Sequence, residues 1–137
     1  MTLTTVQYTA KVHTTRGRDG TSRADDGRLD VRLSIPGTRQ KGTNPEQLFA
    51  AGWSACFLSA VRQAAGSMRV RLPTDLAVDA EVDLCNTDGE YFLRARLIAT
   101  MPGLERDVAQ ELVDAAHRIC PYSQAIRCNI EVTVTVA

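Results

Sequence analysis

Four cysteines, Cys56, Cys85, Cys120 and Cys128, are the side chains in this sequence best suited to covalent chemistry. The thiolate is the nucleophile, and a thiol of ordinary pKa near 8.5 is only about 3% ionised at neutral pH. A reactive cysteine therefore needs a cation beside it, whereas an inert one is simply a small buried hydrophobe. Cys56 lies in the apolar segment EQLFAAGWSACFLSAVRQAAG, where helical spacing puts it on one face with Phe49, Gly52, Trp53 and Ala60. An apolar setting raises a thiol pKa, and no His or Lys is near in sequence, so an activating cation must come from elsewhere in the fold. Glu46, at the start of that segment, is either a charge favoured by the helix dipole or a carboxylate holding an arginine by a bidentate pair. Cys120 precedes Pro121, which predicts a partly accessible thiol where a helix ends and the chain can move. Packing is the competing reading for both Cys56 and Cys120. There is no CxxC, no paired His and no GxSxG, so zinc binding and serine hydrolysis lack support. His117 reads as structural and His13 as an exposed strand residue.

The elements that must position these residues can be read from periodicity. Tyr8, Ala10 and Val12 share one side of an opening strand, and RGRDGTSRADDG reads as a loop. Leu29, Val31, Leu33 and Ile35 alternate with polar residues in a half-buried strand over 28–35. Asn44 as N-cap, Pro45 in the first turn and Gln47 completing a capping box start a helix that Gly66 can end. That helix is apolar almost all round, which predicts central burial. Runs over 76–84 and 91–99 alternate around Asn86, Asp88 and Gly89, the pattern of a hairpin. A second helix follows Pro102 and Gly103, with Val108, Leu112, Ala115, Ala116 and Ile119 as its stripe and Pro121 as its stop. A last strand alternates over 130–136. The order of strands, helix, hairpin, helix and strand predicts one α+β domain over 1–137, with antiparallel sheets and two main helices.

Composition narrows the function classes. The chain has 137 residues, 44% hydrophobic and 23% charged, with zero formal net charge, which argues against disorder and against recruitment of nucleic acid or an acidic membrane by a global field. No run of about 18 apolar residues predicts a membrane span, and no signal-like N-terminus is present. A cytoplasmic location is therefore expected. Cysteine pairs that oxidise there are usually catalytic or redox-sensing rather than structural.

The stretches TNPEQLFAAGWSACF, AAHRICPYSQAIRCNIEV and GRDG closely resemble the organic hydroperoxide resistance (Ohr) family of the OsmC superfamily, and the resemblance runs from residue 8 to the last strand. It implies an antioxidant peroxidase in which Cys56 attacks the peroxide and becomes a sulfenic acid. Cys120 would then condense with it to an intramolecular disulfide. By the same resemblance Arg18, in GRDG, stabilises the thiolate and polarises the peroxide, and Glu46 orients that arginine. It further implies an intertwined homodimer with active sites at the interface. No bound cofactor is implied; the reductant is an external dithiol, dihydrolipoamide on a lipoylated protein. An apolar surround with Phe49, Trp53 and Tyr122 as substrate-binding residues suits alkyl, aryl or lipid hydroperoxides.

The sequence departs from the family pattern in places. Arg16 lies two residues before Arg18 as a rival candidate, Trp53 stands where tyrosine is usual, and Cys128 replaces a common glycine. Cys85 has no family counterpart, and both extra cysteines read as structural thiols. Two alternatives stay open: an OsmC-like thiol peroxidase with another reductant, and a redox sensor or apolar-ligand-binding protein.

Overall fold

The computed structural model describes residues 2–137 and divides into two compact units, one ending at Pro45 and one running from Glu46 to Ala137. In the first, strands β1 (Val12–Thr15), β2 (Thr21–Ala24) and β3 (Asp30–Arg32) form an antiparallel sheet in that order. The opening strand is shorter than its alternation suggested, since Tyr8 and Ala10 lie outside β1. The stretch expected as a loop holds β2. Its Gly and Asp residues cluster into two turns, leaving Thr-Ser-Arg-Ala between them to pair on both sides. Leu33 is buried and continues the alternation of β3 as an isolated bridge to Thr43, while Ile35, expected on the same buried face, is exposed.

The second unit is built around helix α1 (Pro45–Met68). It begins at the predicted proline but runs past Gly66. Arg69 takes the left-handed conformation after its last turn, with φ 57°. Arg69 N–H bonds to the Gly66 carbonyl and Val70 N–H to the Ala65 carbonyl, the hydrogen-bond pattern of a Schellman cap. Trp53, Phe57, Ala60, Val61, Ala64 and Ala65 form its buried stripe. Ala51 and Ala55, on the other side, are exposed, so this unit buries one face of α1 where burial all round was expected.

Strands β4 (Ala77–Thr87) and β5 (Glu90–Thr100) form the predicted hairpin. Asp88 and Gly89 both have positive φ, as a tight two-residue hairpin turn needs. Strand β6 (Glu131–Val136) joins β5 in parallel, so this sheet is mixed where an antiparallel one was expected. The parallel pairing is possible because helices α2 (Arg106–Ile119) and α3 (Pro121–Ile126) carry the chain from β5 to β6. Ala95, Leu97 and Ala99 of β5 face the core, and Arg94 and Arg96 face outward to Asp83 and Glu81. The two guanidiniums, Arg96 foremost, hold the Asp83 carboxyl well below the usual carboxylate range.

Helix α2 turns Ala109, Leu112, Val113 and Ala116 inward. The predicted stripe is thus rotated slightly, since it included Ile119, which is exposed. Helix α3 was not expected. Pro121 ends α2, but it also occupies the first turn of a new helix, where its missing N–H is no loss.

Candidate active site

Helix α1 and the α2–α3 junction bring two cysteines together. The Sγ atoms of Cys56 and Cys120 lie 3.4 Å apart, though 64 residues separate them in the chain. Cys56 sits on the flank of the buried stripe of α1 and is partly exposed. Cys120 caps α2 at its C-terminus and precedes α3; its N–H bonds to the Ala116 carbonyl and its own carbonyl accepts from Gln124 N–H. The expected exposure of Cys120 is not found. Its side chain is fully buried, because α3 folds back against α1 instead of leaving the surface at Pro121. Of the two sulfurs, only that of Cys56 belongs to a residue open to solvent.

Burial pushes the Cys56 thiol above its ordinary pKa. A backbone hydrogen bond from Tyr122 pulls it down, and the adjacent Cys120 thiol pushes it up again. The net direction is upward, toward the inactive protonated form. A cation is therefore required for nucleophilic chemistry, as the sequence already suggested. Two thiols at this separation can form a disulfide after about 1.4 Å of further approach, given an S–S bond of about 2.05 Å.

Three aromatic residues lie on the same elements as the pair, Phe49 and Trp53 on α1 and Tyr122 on α3. Phe49 packs edge-on against Trp53, with ring centroids 5.9 Å apart, and against Tyr122 at 6.5 Å. Phe49 is partly buried and Tyr122 is exposed, so both can meet an apolar ligand. Trp53 is fully buried and presents no surface to solvent. Its Nε1–H donates to the Ser123 hydroxyl at 3.1 Å, and Ser123 is itself fully buried. Gly52 sits under Tyr122: a Cβ at that position would lie 3.0 Å from the phenol oxygen. Ser123 escaped the sequence reading. The signal was present, since a tryptophan in an apolar stripe needs an acceptor for its N–H, and Ser123 lies three residues after Cys120 as Trp53 lies three before Cys56.

The other candidates are placed as follows. Arg18 lies in the turn between β1 and β2, exposed. In the same turn Arg16 pairs with Asp19 at 3.1 Å. Glu46 is in the first turn of α1 and half-buried. Cys85 is half-buried on β4, across from Phe92. Cys128 is exposed, with φ 69°, a left-handed conformation natural to glycine. His13 is exposed in β1. His117 is partly buried with an unpartnered Nδ1; burial, then the charge of Arg127, pushes its pKa down, and Asp114 opposes this. Among the described residues no group of three or more His, Cys, Asp or Glu gathers as a metal site would require.

Residues 37–135 match the family described as OsmC-like protein. The chain belongs to the OsmC family. Within it, the organic hydroperoxide resistance protein of Xanthomonas axonopodis pv. citri is 42% identical over 136 residues, which cover 96% of each chain. The crystal structure of the organic hydroperoxide resistance protein OhrB of Bacillus subtilis superposes with a TM-score of 0.90 at 39% identity, covering 96% of this chain and 100% of that one. An organic hydroperoxide resistance protein from Legionella pneumophila superposes with a TM-score of 0.90 at 39% identity, covering 97% and 99%. The resemblance seen in the sequence motifs is borne out over nearly the whole chain.

Proposed function

We propose that this protein detoxifies organic hydroperoxides as a cysteine-based peroxidase. The observation that carries the proposal is the Cys56–Cys120 sulfur pair, 3.4 Å apart and open to solvent on the Cys56 side. The names of the relatives support a role in organic hydroperoxide resistance.

In the first step the Cys56 thiolate attacks the terminal peroxide oxygen and the O–O bond breaks. Cys56 becomes a sulfenic acid, and the alkoxide leaves and takes a proton to give the alcohol. In the second step Cys120 sulfur attacks the sulfenic sulfur, forming the Cys56–Cys120 disulfide and releasing water. Two electrons have then passed from the thiol pair to the peroxide. An external dithiol, oxidised in turn to its disulfide, returns them; dihydrolipoamide on a lipoylated protein is the proposed donor. Arg18 is proposed to stabilise the thiolate and the departing alkoxide, because a guanidinium supplies fixed charge without competing as a base. Glu46 is proposed to orient it through a bidentate pair. No bound cofactor takes part in the scheme. The proposed assembly is a homodimer acting in the cytoplasm.

The apolar surround of Phe49 and Tyr122 favours substrates with a hydrocarbon tail. Steady-state turnover with dihydrolipoamide tests the proposal. The expected result is consumption of cumene or fatty-acid hydroperoxide at a kcat/KM at least about 100-fold above that for hydrogen peroxide, as several buried methylenes would provide. Comparable values for the two peroxides would overturn the substrate class, and absence of turnover with any dithiol would overturn the enzyme.

A further inference from the structure

Two links tie the α2–α3 junction and α3 to α1, one helical turn apart. The first is the sulfur pair Cys56–Cys120; the second is the Trp53–Ser123 hydrogen bond at 3.1 Å. Trp53 precedes Cys56 by three residues on α1, and Ser123 follows Cys120 by three on the junction and α3, so the links run side by side. Both members of the second link are fully buried. The indole N–H and the hydroxyl therefore have no water to turn to if they separate, and the bond resists sliding or rotation of α3. Tyr122, between them, lies on Gly52 of α1.

We propose that the Trp53–Ser123 hydrogen bond is a positioning device for the resolving step: it holds Cys120 within striking distance of the Cys56 sulfenic acid. The inference rests on the peroxidase reading above and extends it to two residues that touch no reacting atom. Cys120 is anchored by backbone bonds on both sides, to Ala116 in α2 and Gln124 in α3, so a shift of α3 against α1 would carry its sulfur along, and the second link resists that shift. Intramolecular reactions gain their rate from such alignment, and an error of about 1 Å can cost about 100-fold. Closure is the step that requires alignment between α1 and α3. Attack on the peroxide uses Cys56, the incoming oxygen and the proposed Arg18 cation, and meets α3 only through the Tyr122 backbone hydrogen bond to Cys56.

The test is single-turnover oxidation of the reduced full-length protein by cumene hydroperoxide, with timed trapping of sulfenic acid by dimedone and of free thiols by alkylation, read by mass spectrometry. Ser123→Ala and Trp53→Phe each remove one end of the bond, and Ser123→Thr keeps the hydroxyl. The expected result is that Ser123→Ala and Trp53→Phe slow disulfide closure about tenfold or more and become overoxidised at lower peroxide, while Ser123→Ala changes Cys56 oxidation by less than about twofold. Ser123→Thr should restore closure most of the way. Closure at the wild-type rate in folded Ser123→Ala or Trp53→Phe would overturn the proposal, as would equal slowing of both steps in Ser123→Ala. Failure of both variants to fold would overturn it too, by making the bond a condition of the fold. Wild-type protein that forms no sulfenic acid or disulfide would instead reject the peroxidase reading itself.

Discussion

At Cys56 three influences compete for one proton. Burial raises the thiol pKa, the Tyr122 backbone hydrogen bond lowers it, and the neighbouring Cys120 thiol raises it again. Because the charged form is the reactive one, a raised pKa means that the oxidation rate climbs as pH rises through neutrality into the alkaline range. Stopped-flow fluorescence of Trp53, the single tryptophan, should show that climb. Arg18→Ala should move it to higher pH and lower the rate at pH 7 by about 10- to 100-fold, as loss of a charge-stabilising donor does. A flat profile, or an unchanged Arg18→Ala curve, would contradict the proposed thiolate chemistry. Exposure orders the thiols independently: Cys128 should alkylate first and Cys120 last in the native reduced protein. Peptide mapping of a timed reaction with iodoacetamide checks this, and early labelling of Cys120 would show that α3 does not stay closed over it. The neighbours of Cys56 on its own helix were legible from spacing alone. The buried state of Cys120 was not, because it depends on a helix that a proline both ends and begins.

At the scale of elements, periodicity located most of the framework. The hairpin β4–β5 was legible because the runs 76–84 and 91–99 alternate on either side of a turn whose residues accept positive φ. The start of α1 was legible from Asn44 and Pro45. Its end was not: Gly66 looked like a cap, but the left-handed position fell to Arg69. Strand β2 was hidden by composition, since Thr21–Ala24 has little strand character and owes its conformation to pairing with β1 and β3. The parallel partnership of β6 with β5 is a long-range fact that no local pattern carries. Phe57, fully buried on α1, is a direct probe of the packing so described. Phe57→Ala should lower unfolding free energy by about 3–5 kcal/mol in urea titration. A loss below about 1 kcal/mol would mean that this face of α1 is not a tightly packed core.

At the scale of the whole molecule, Ala51 and Ala55 lie on a helix with few charges and are left exposed by the described residues. That fits the homodimer implied by family resemblance. Sedimentation equilibrium should give twice the mass of the chain at micromolar concentration, and a single-chain mass would contradict the assembly. No helix among the described residues is long and apolar enough to cross a membrane. The claim on which the rest depends is that Cys56 and Cys120 are partners in one redox cycle. Intact mass and peptide mapping of the reduced protein, after one equivalent of an organic hydroperoxide, test it most directly. The predicted product has lost two hydrogens and carries a single bridge between Cys56 and Cys120. A bridge through Cys85 or Cys128, oxidation that stops at Cys56, or no oxidation at all would contradict the cycle.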